Sequence, residues 1–289
     1  MTKANDNTAR REVFEDRADT HSYVLRGGEP GAHRLQLLAR VMWPSTHALL
    51  NRIGIHRGMR CLDVGCGTGE VTLQIARLVA PEGYVVGIDA DDVILDHARA
   101  AAARQQASAW FETRNAEDLQ DEGVYDVVHT RFLLTHLRQP AQVLASMLRA
   151  LRPGGTLIVQ DIDCPGHVCH PPCPAFDRYL DLYQAVVRRN GGDPAIGPRL
   201  PGLLRHAGAE DLRLEVVQPV FCDGEGKFVA QLTMDHIREA VVLAGLASHA
   251  EVDAIVTDLD TFAQDPDSMI SLPRVFQVWG RKADAPREN

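Results

Sequence analysis

The chain has 289 residues, with 30 Lys plus Arg against 39 Asp plus Glu, a formal charge of −9, and 45% hydrophobic residues. Such a chain is long enough for one large domain, or one domain with a smaller cap, and needs no disulfide or metal to fold. Its acidic balance opposes broad contact with a phosphate backbone, which takes clustered Lys and Arg, so no nucleic acid is expected as principal partner.

Only Lys3, Lys227 and Lys282 are lysines, so nearly all the basic charge is arginine; with many Ala, Gly and Leu this suggests a GC-rich bacterial coding bias. Met1 to Thr20 is polar, without the apolar run of a leader, and no stretch approaches the ~18 apolar residues of a membrane span. A cytoplasmic protein with no membrane partner is expected. Six cysteines, at 61, 66, 164, 169, 173 and 222, then read as free thiols.

From Arg34 to Ile53 apolar residues recur at helical spacing around Trp43-Pro44, where proline predicts a break and two short helices. Met59 to Val64 is the first strong strand. A helix faced by Val71, Ile75, Leu78 and Val79 follows, then a strand from Tyr84 to Asp89 and a helix marked by Ile94, Leu95, Ala98 and Ala102. Trp110 to Thr113 is a weak strand and Val124 to His129 a better one. Val143 to Leu151 line a helix stopped by Pro153-Gly154-Gly155, and Thr156 to Gln160 is another strand. Strand alternating with helix at this pace predicts an α/β fold, a parallel sheet with helices on both faces.

After Asp163 a Pro- and His-rich loop leads to helices over Ala175–Arg189 and Leu200–Ala207. Leu212 to Val220 alternates as a strand, Phe228 to Phe262 is largely helical, and Arg274 to Trp279 is a final strand. Three parts result: 1–53, a tail and helical lid; 54–163, the alternating core; 164–289, helical cap insertions with the last strands. The helical parts can cover the carboxyl edge of the sheet, where ligands bind in open α/β folds.

The sharpest local pattern is Asp63-Val64-Gly65-Cys66-Gly67-Thr68-Gly69-Glu70, at the turn from the first strand into its helix. Glycines there let the backbone turn through positive φ and approach a ligand. A dinucleotide site has G-x-G-x-x-G with the pyrophosphate on the helix N-terminus. This loop is G-x-G-x-G and puts the Glu70 carboxylate where that phosphate would sit. Asp89, at the end of the second strand, can accept two hydrogen bonds from a ribose diol. Loop and acid together indicate a nucleoside with no phosphate beside it.

The ordered set of Asp63–Gly69, Gly87-Ile88-Asp89, Asn115-Ala116-Glu117-Asp118-Leu119 and Tyr125–Phe132 resembles the successive motifs of class I S-adenosylmethionine-dependent methyltransferases. The closest subgroup is the small-molecule enzymes related to the ubiquinone and menaquinone C-methyltransferases. The likeness covers about residues 21 to 165, with a looser echo over Pro273–Arg281. It implies a doubly wound, mostly parallel, seven-stranded Rossmann-like sheet with a helical N-terminal lid and helical insertions, and makes 54–163 the cofactor-binding core.

The same resemblance implies site roles. Gly65, Cys66 and Gly67, with Asp63, would hold the methionine end of S-adenosylmethionine, unless Asp63 serves to orient the loop. Asp89 would take the ribose and Ala90 pack on the adenine, while Asn115, Ala116 and Glu117 lie along its edge. Asn115 stands where relatives often have Asp; its side-chain oxygen can accept the same bond. Thr130 and Arg131 would lie beside the sulfonium, and Tyr23 would close over the cofactor. His129, ending a buried strand, reads as a satisfied core histidine.

Cys164, His167, Cys169, His170 and Cys173 have the composition of a zinc site, yet their spacing fits no common zinc pair and prolines stiffen the loop, so no metal is expected. The loop reads instead as lining the acceptor pocket, with His167 and His170 beside Trp43, Phe132, Tyr179 and Tyr183. Methyl transfer needs a base only when the acceptor must lose a proton. His136 follows the fourth strand and Asp161 ends the fifth, beside it, and they form a candidate pair; equally, His136 caps its helix and Asp161 serves that structure. The expected function is methylation of a small aromatic or heteroaromatic metabolite at C, N or O in secondary metabolism, leaving S-adenosylhomocysteine. The alternatives are an NAD-binding oxidoreductase and a non-catalytic S-adenosylmethionine-binding protein. The caps leave a homodimer open.

Overall fold

The structure, a computed structural model, describes residues 29–284, with the side chains of 29 and 30 excepted. It begins with α1 (Glu29–Ile53), β1 (Arg60–Val64), α2 (Glu70–Val79), β2 (Tyr84–Asp89), α3 (Asp92–Gln105) and β3 (Ala109–Thr113). Then come β4 (Tyr125–Arg131), α4 (Pro140–Ala150), β5 (Leu151–Asp163), β6 (Cys169–His170), α5 (Pro174–Arg189) and α6 (Leu200–Ala207). The chain closes with β7 (Ala209–Val217), β8 (Val220–Phe221), α7 (Val229–Leu243), α8 (His249–Gln264), β9 (Met269–Ser271) and β10 (Arg274–Lys282).

Seven strands form one sheet in the order β3-β2-β1-β4-β5-β10-β7. The first five pair in parallel, and β10 runs antiparallel to both β5 and β7. This is the expected doubly wound α/β sheet. The winding reverses between β1 and β4, so their carboxyl ends splay apart and open a crevice.

Alternating strand residues divide the core. Cys61, Val127 and Ile158 face Leu49 and Leu50 of α1 and Ile75 and Val79 of α2. On the opposite face Leu62, Val128, Leu157 and Val278 pack on Val143, Leu144 and Met147 of α4 and Leu200 and Leu204 of α6. A third cluster lies beyond the carboxyl edge, where Phe176, Tyr179, Leu182 and Tyr183 of α5 meet Met234, Ile237 and Val241 of α7 and Leu259 of α8. That cluster reaches the sheet through Ile162 and Val275 and α1 through Leu37 and Met42.

Three features depart from the sequence expectation. α1 is one helix through Pro44 rather than two. The proline removes one backbone donor in a helix whose inner face, Met42, Leu49 and Leu50, is fully buried, and the Ser45 hydroxyl donates to the Met42 carbonyl at 3.0 Å. Tertiary burial thus outweighs a cost of about 3 kcal/mol. Strand β5 starts at Leu151, before Pro153-Gly154-Gly155, because Leu151 pairs with Tyr125 and an irregularity absorbs the extra residues before Val127 meets Thr156. A second sheet, β6-β9-β8, has strands too short to show alternation.

Lys227 ties the cap together. It is buried, and its ammonium donates to the carbonyls of Asp265 (2.6 Å) and Ser268 (3.0 Å), just past the end of α8. Replacing it by Met leaves two carbonyls without their charged donor. Lys227→Met is expected to lower the unfolding free energy by about 1–3 kcal/mol, read by urea denaturation, with amide exchange quickened in α8.

Candidate functional site

The crevice at the reversal is floored by the turn between β1 and α2. Gly65 (φ +71°), Gly67 (φ +54°) and Gly69 (φ +81°) all adopt left-handed backbone. At Gly69 a Cβ would come within 2.8 Å of Ala98 and 2.9 Å of Phe111, so this position excludes a side chain on two counts. The amides of Gly65 and Cys66 donate to the Ile88 carbonyl at 2.8 and 3.0 Å, which lays the loop against the end of β2.

Asp89 stands there half-buried. Its carboxylate accepts from the Gly67 amide at 2.9 Å and the Asp91 amide at 3.1 Å, so it organises the loop before any ligand arrives. Burial raises its pKa, and the backbone donors oppose that shift. Each oxygen holds one internal bond and keeps acceptor capacity toward the crevice. Ala90, next along, is exposed. Glu70 opens α2, and its carboxylate accepts from the Thr68 hydroxyl. An anion is thereby fixed where a dinucleotide would need its phosphate.

Asp63 is buried, with one oxygen accepting from the Thr72 hydroxyl at 2.6 Å and the other 2.7 Å from His129 Nδ1. Both oxygens have internal partners, which favours the loop-orienting reading of this residue. His129 has hydrogen bonds on both ring nitrogens, the second to Gln160 at 3.0 Å. Thr130 donates to the Val64 carbonyl at 2.8 Å and so clamps β4 to β1. Arg131 donates to Thr46 of α1 at 3.0 Å and stacks 5.4 Å from the centre of the Phe132 ring. Burial pushes its guanidinium down to about 10, with Asp63 and Glu70 opposing, so it stays charged at neutral pH. Phe132 itself has φ +60°, a strained conformation for a bulky residue at the end of a sheet strand.

Asn115 is exposed, and its oxygen accepts from the Glu117 amide at 3.1 Å, capping the short helical turn of Ala116–Asp118. That oxygen serves the turn and keeps a second acceptor site. Ala116 is buried and Glu117 exposed. Tyr23 lies outside the described residues.

Across the crevice, Asp161 and His136 are both buried. Asp161 accepts from the backbone amides of Thr135 (3.1 Å) and Ile162 (2.8 Å), so it holds the turn that carries His136. Burial pushes Asp161 up to about 7, against the pull of those amides. Burial, with Arg34 nearby, pushes His136 down to about 3 and keeps its ring neutral. Phe132, Tyr179 and Tyr183 join the cluster beyond the carboxyl edge, and His167 meets Phe176 edge-on at 5.8 Å. Two candidates fall elsewhere: Trp43 packs on the α1–α2 face of the sheet, and His170 is exposed in β6. Cys164 Sγ lies 3.9 Å from His167 Nδ1, and among the described residues no three His, Cys, Asp or Glu side chains are grouped to hold a metal.

Sequence reasoning missed Arg34, Thr46, Gln160 and Gln277. Arg34 is buried on α1 and its Nε donates to Thr233 of α7 at 3.0 Å. Gln160 carried a readable clue: a polar amide in the apolar run Ile158-Val159-Gln160-Asp161-Ile162 must find buried partners.

Residues 55–178 match a family described as a methyltransferase domain. Over 144 residues the chain is 33% identical to the ubiquinone/menaquinone biosynthesis C-methyltransferase of Azotobacter vinelandii, covering 47% of this chain and 57% of that protein. The chain spans between 46% and 67% of the length of the first curated relatives it matches. Among solved structures, a putative methyltransferase from Bacillus halodurans superposes with TM-score 0.55 at 20% identity, covering 82% of this chain and 98% of that one. The [4+2]-cyclase SpnF superposes with TM-score 0.54 at 22% identity, over 84% and 81%. The core of the chain is thus similar to methyltransferase domains over residues 55–178, and about half of the chain is similar to the ubiquinone/menaquinone C-methyltransferases.

Two outcomes follow from this geometry. Asp89→Ala, which removes the loop anchor and the diol acceptor together, is expected to weaken S-adenosylhomocysteine binding at least about tenfold in calorimetry. Asp161 titrates higher when folded than a free carboxyl at 3.8, so its contribution to stability is complete below that value and is lost as pH rises through about 7. Asp161→Asn, though less stable overall, is therefore expected to show a flatter decline between about pH 5 and about pH 8 than the native chain in denaturation at stepped pH.

Proposed function

We propose that the chain transfers the methyl group of S-adenosylmethionine to a small aromatic or heteroaromatic metabolite, at carbon, nitrogen or oxygen. The single observation that carries the donor half is the pairing of the glycine turn with Asp89 while Glu70 occupies the start of α2. A carboxylate there repels a phosphate but suits a cationic sulfonium nucleoside. This argues against the NAD reading.

When bound, the donor supplies an electrophilic methyl group on a positively charged sulfur. The chain's own contribution is chiefly to hold two molecules in line in a closed space, which by itself can account for several kcal/mol of barrier reduction. Gly65 to Gly67 and Asp89 would fix the donor from the sheet side. Phe132, Tyr179 and Tyr183 would supply flat apolar walls for the acceptor, and α1 with α5 and α7 would exclude water. Arg34, buried between α1 and α7, suits an acceptor carrying an acidic or phenolic group.

His136 and Asp161 are the groups we assign to the acceptor's proton where one must leave. Asp161, near the end of β5, holds the turn that carries His136 and is pushed up to about 7, close to the working pH. Burial holds the His136 ring at about 3, where it is neutral and only weakly basic, so His136 orients the acceptor's proton and Asp161 is the stronger base. A base poised near the working pH is the efficient arrangement.

The test is a screen of aromatic metabolites with methyl-labelled S-adenosylmethionine. Label is expected in an acceptor, with turnover depressed by at least about tenfold in His136→Ala if a proton is abstracted. Tight binding of the donor with no label in any acceptor would favour a chain that binds the cofactor without transferring its methyl. Thermal stabilisation by NADH and not by S-adenosylhomocysteine would contradict the donor reading.

A further inference from the structure

A row of polar side chains crosses the sheet beneath α1, and the donor reading leaves most of it without a role. Asp63, His129, Gln160 and Gln277 stand on β1, β4, β5 and β10, all on the face that α1 covers, and Thr46 reaches them from α1. His129 is 1% exposed, and Thr46, Gln160 and Gln277 are 0% exposed. Groups so deeply buried satisfy one another, apart from Gln277 Oε1, which has no hydrogen-bond partner among the described residues.

Arg131 at one end can only donate and the Asp63 carboxylate at the other can only accept, and the bonds between them run from one to the other. Arg131 has only donors, so at 3.0 Å the Thr46 hydroxyl accepts from it and turns its own proton to Gln160 Oε1 at 3.3 Å. Gln277 Nε2 donates to the same oxygen at 2.9 Å. With its oxygen held by two donors, Gln160 must present its amine to His129 Nε2, 3.0 Å away. That nitrogen accepts, so the ring proton lies on Nδ1 and is donated to Asp63 at 2.7 Å. Thr72 of α2 donates to the other Asp63 oxygen at 2.6 Å. Each link donates toward Asp63, the one member with no proton to give, and in a dry interior such a chain strengthens cooperatively.

Asp63 stands in β1 two residues before the glycine turn, and its bond to Thr72 ties the far side of that turn. We propose that Gln160 and Thr46 are positioning residues for the donor: they lock His129 as its Nδ1–H tautomer and thereby the Asp63 carboxylate, so that the glycine turn is shaped for the cofactor when α1 is seated on the sheet. Neither residue needs to touch the donor. Withdrawing α1 removes Thr46 and leaves Gln277 as the remaining donor to the Gln160 oxygen, which loosens the tautomer lock on the Asp63–His129 bond. The inference rests on the donor reading above.

The experiment combines nitrogen NMR of the histidine rings with calorimetry using S-adenosylhomocysteine. In the native chain the His129 ring is expected to carry a proton on Nδ1 and none on Nε2, as its two hydrogen bonds require. Gln160→Glu, which cannot donate, should move a proton onto Nε2 and weaken S-adenosylhomocysteine binding by about tenfold. Thr46→Val should weaken it several-fold, and Thr46→Ser, which keeps the hydroxyl, should restore it. A native His129 protonated at Nε2 would overturn the proposal, as would native affinity in folded Gln160→Glu and Thr46→Val. A native chain that binds no S-adenosylhomocysteine overturns the donor reading and this inference with it, whereas native binding with unaltered variants overturns this inference alone.

Discussion

The carboxyl edge of the sheet is organised around one buried anion. Asp63, one residue before the end of β1, is 2% exposed, a position that a carboxylate tolerates only with strong donors on both oxygens. Thr72 from α2 and His129 from β4 provide them. Those bonds fasten the first helix after β1 and the neighbouring strand to the same point, and the glycine turn spans the short interval between them. Asp89 then accepts the Gly67 amide from outside, so the turn is held between a buried acid and a half-buried one.

Charge at this edge is more differentiated than the net −9 suggests. Both oxygens of Asp63 and of Asp161 accept internal hydrogen bonds. Asp89, Glu70 and Glu117 face outward or toward the turn, and they supply the negative field that a sulfonium would meet. Arg131 stands among them, stacked on Phe132 and tied to α1 through Thr46. The acceptor side is built differently. The cluster proposed for the acceptor, with aromatic rings from α5, is apolar, and the buried His136 ring is neutral.

Much of this architecture is legible in the order of the residues. Strand and helix alternate with clean punctuation from Met59 to Leu157, and the boundaries of β2 and α6 coincide with the pattern of apolar residues and breakers. The glycine turn and Asp89 are legible because backbone geometry demands particular residue types there. Local rules fail where tertiary burial overrides them. Pro44 signals a break, yet the inner face of α1 packs so fully that the helix continues. Trp43 has the composition of a pocket residue, but helical phase turns it to the sheet face. The polar row is invisible in the sequence because Thr46 and Gln160 are 114 positions apart, and only the register of four strands brings such residues into line.

The central claim is that the glycine turn, Asp89 and the turn at Ala116 receive an S-adenosyl nucleoside. Hydrogen–deuterium exchange of the whole chain with and without S-adenosylhomocysteine tests it most directly. The account predicts new protection concentrated at the amides of Gly65 to Gly67, at the end of β2 and at Ala116, extending into α1. Protection absent from those amides, or confined to a different surface, would contradict it.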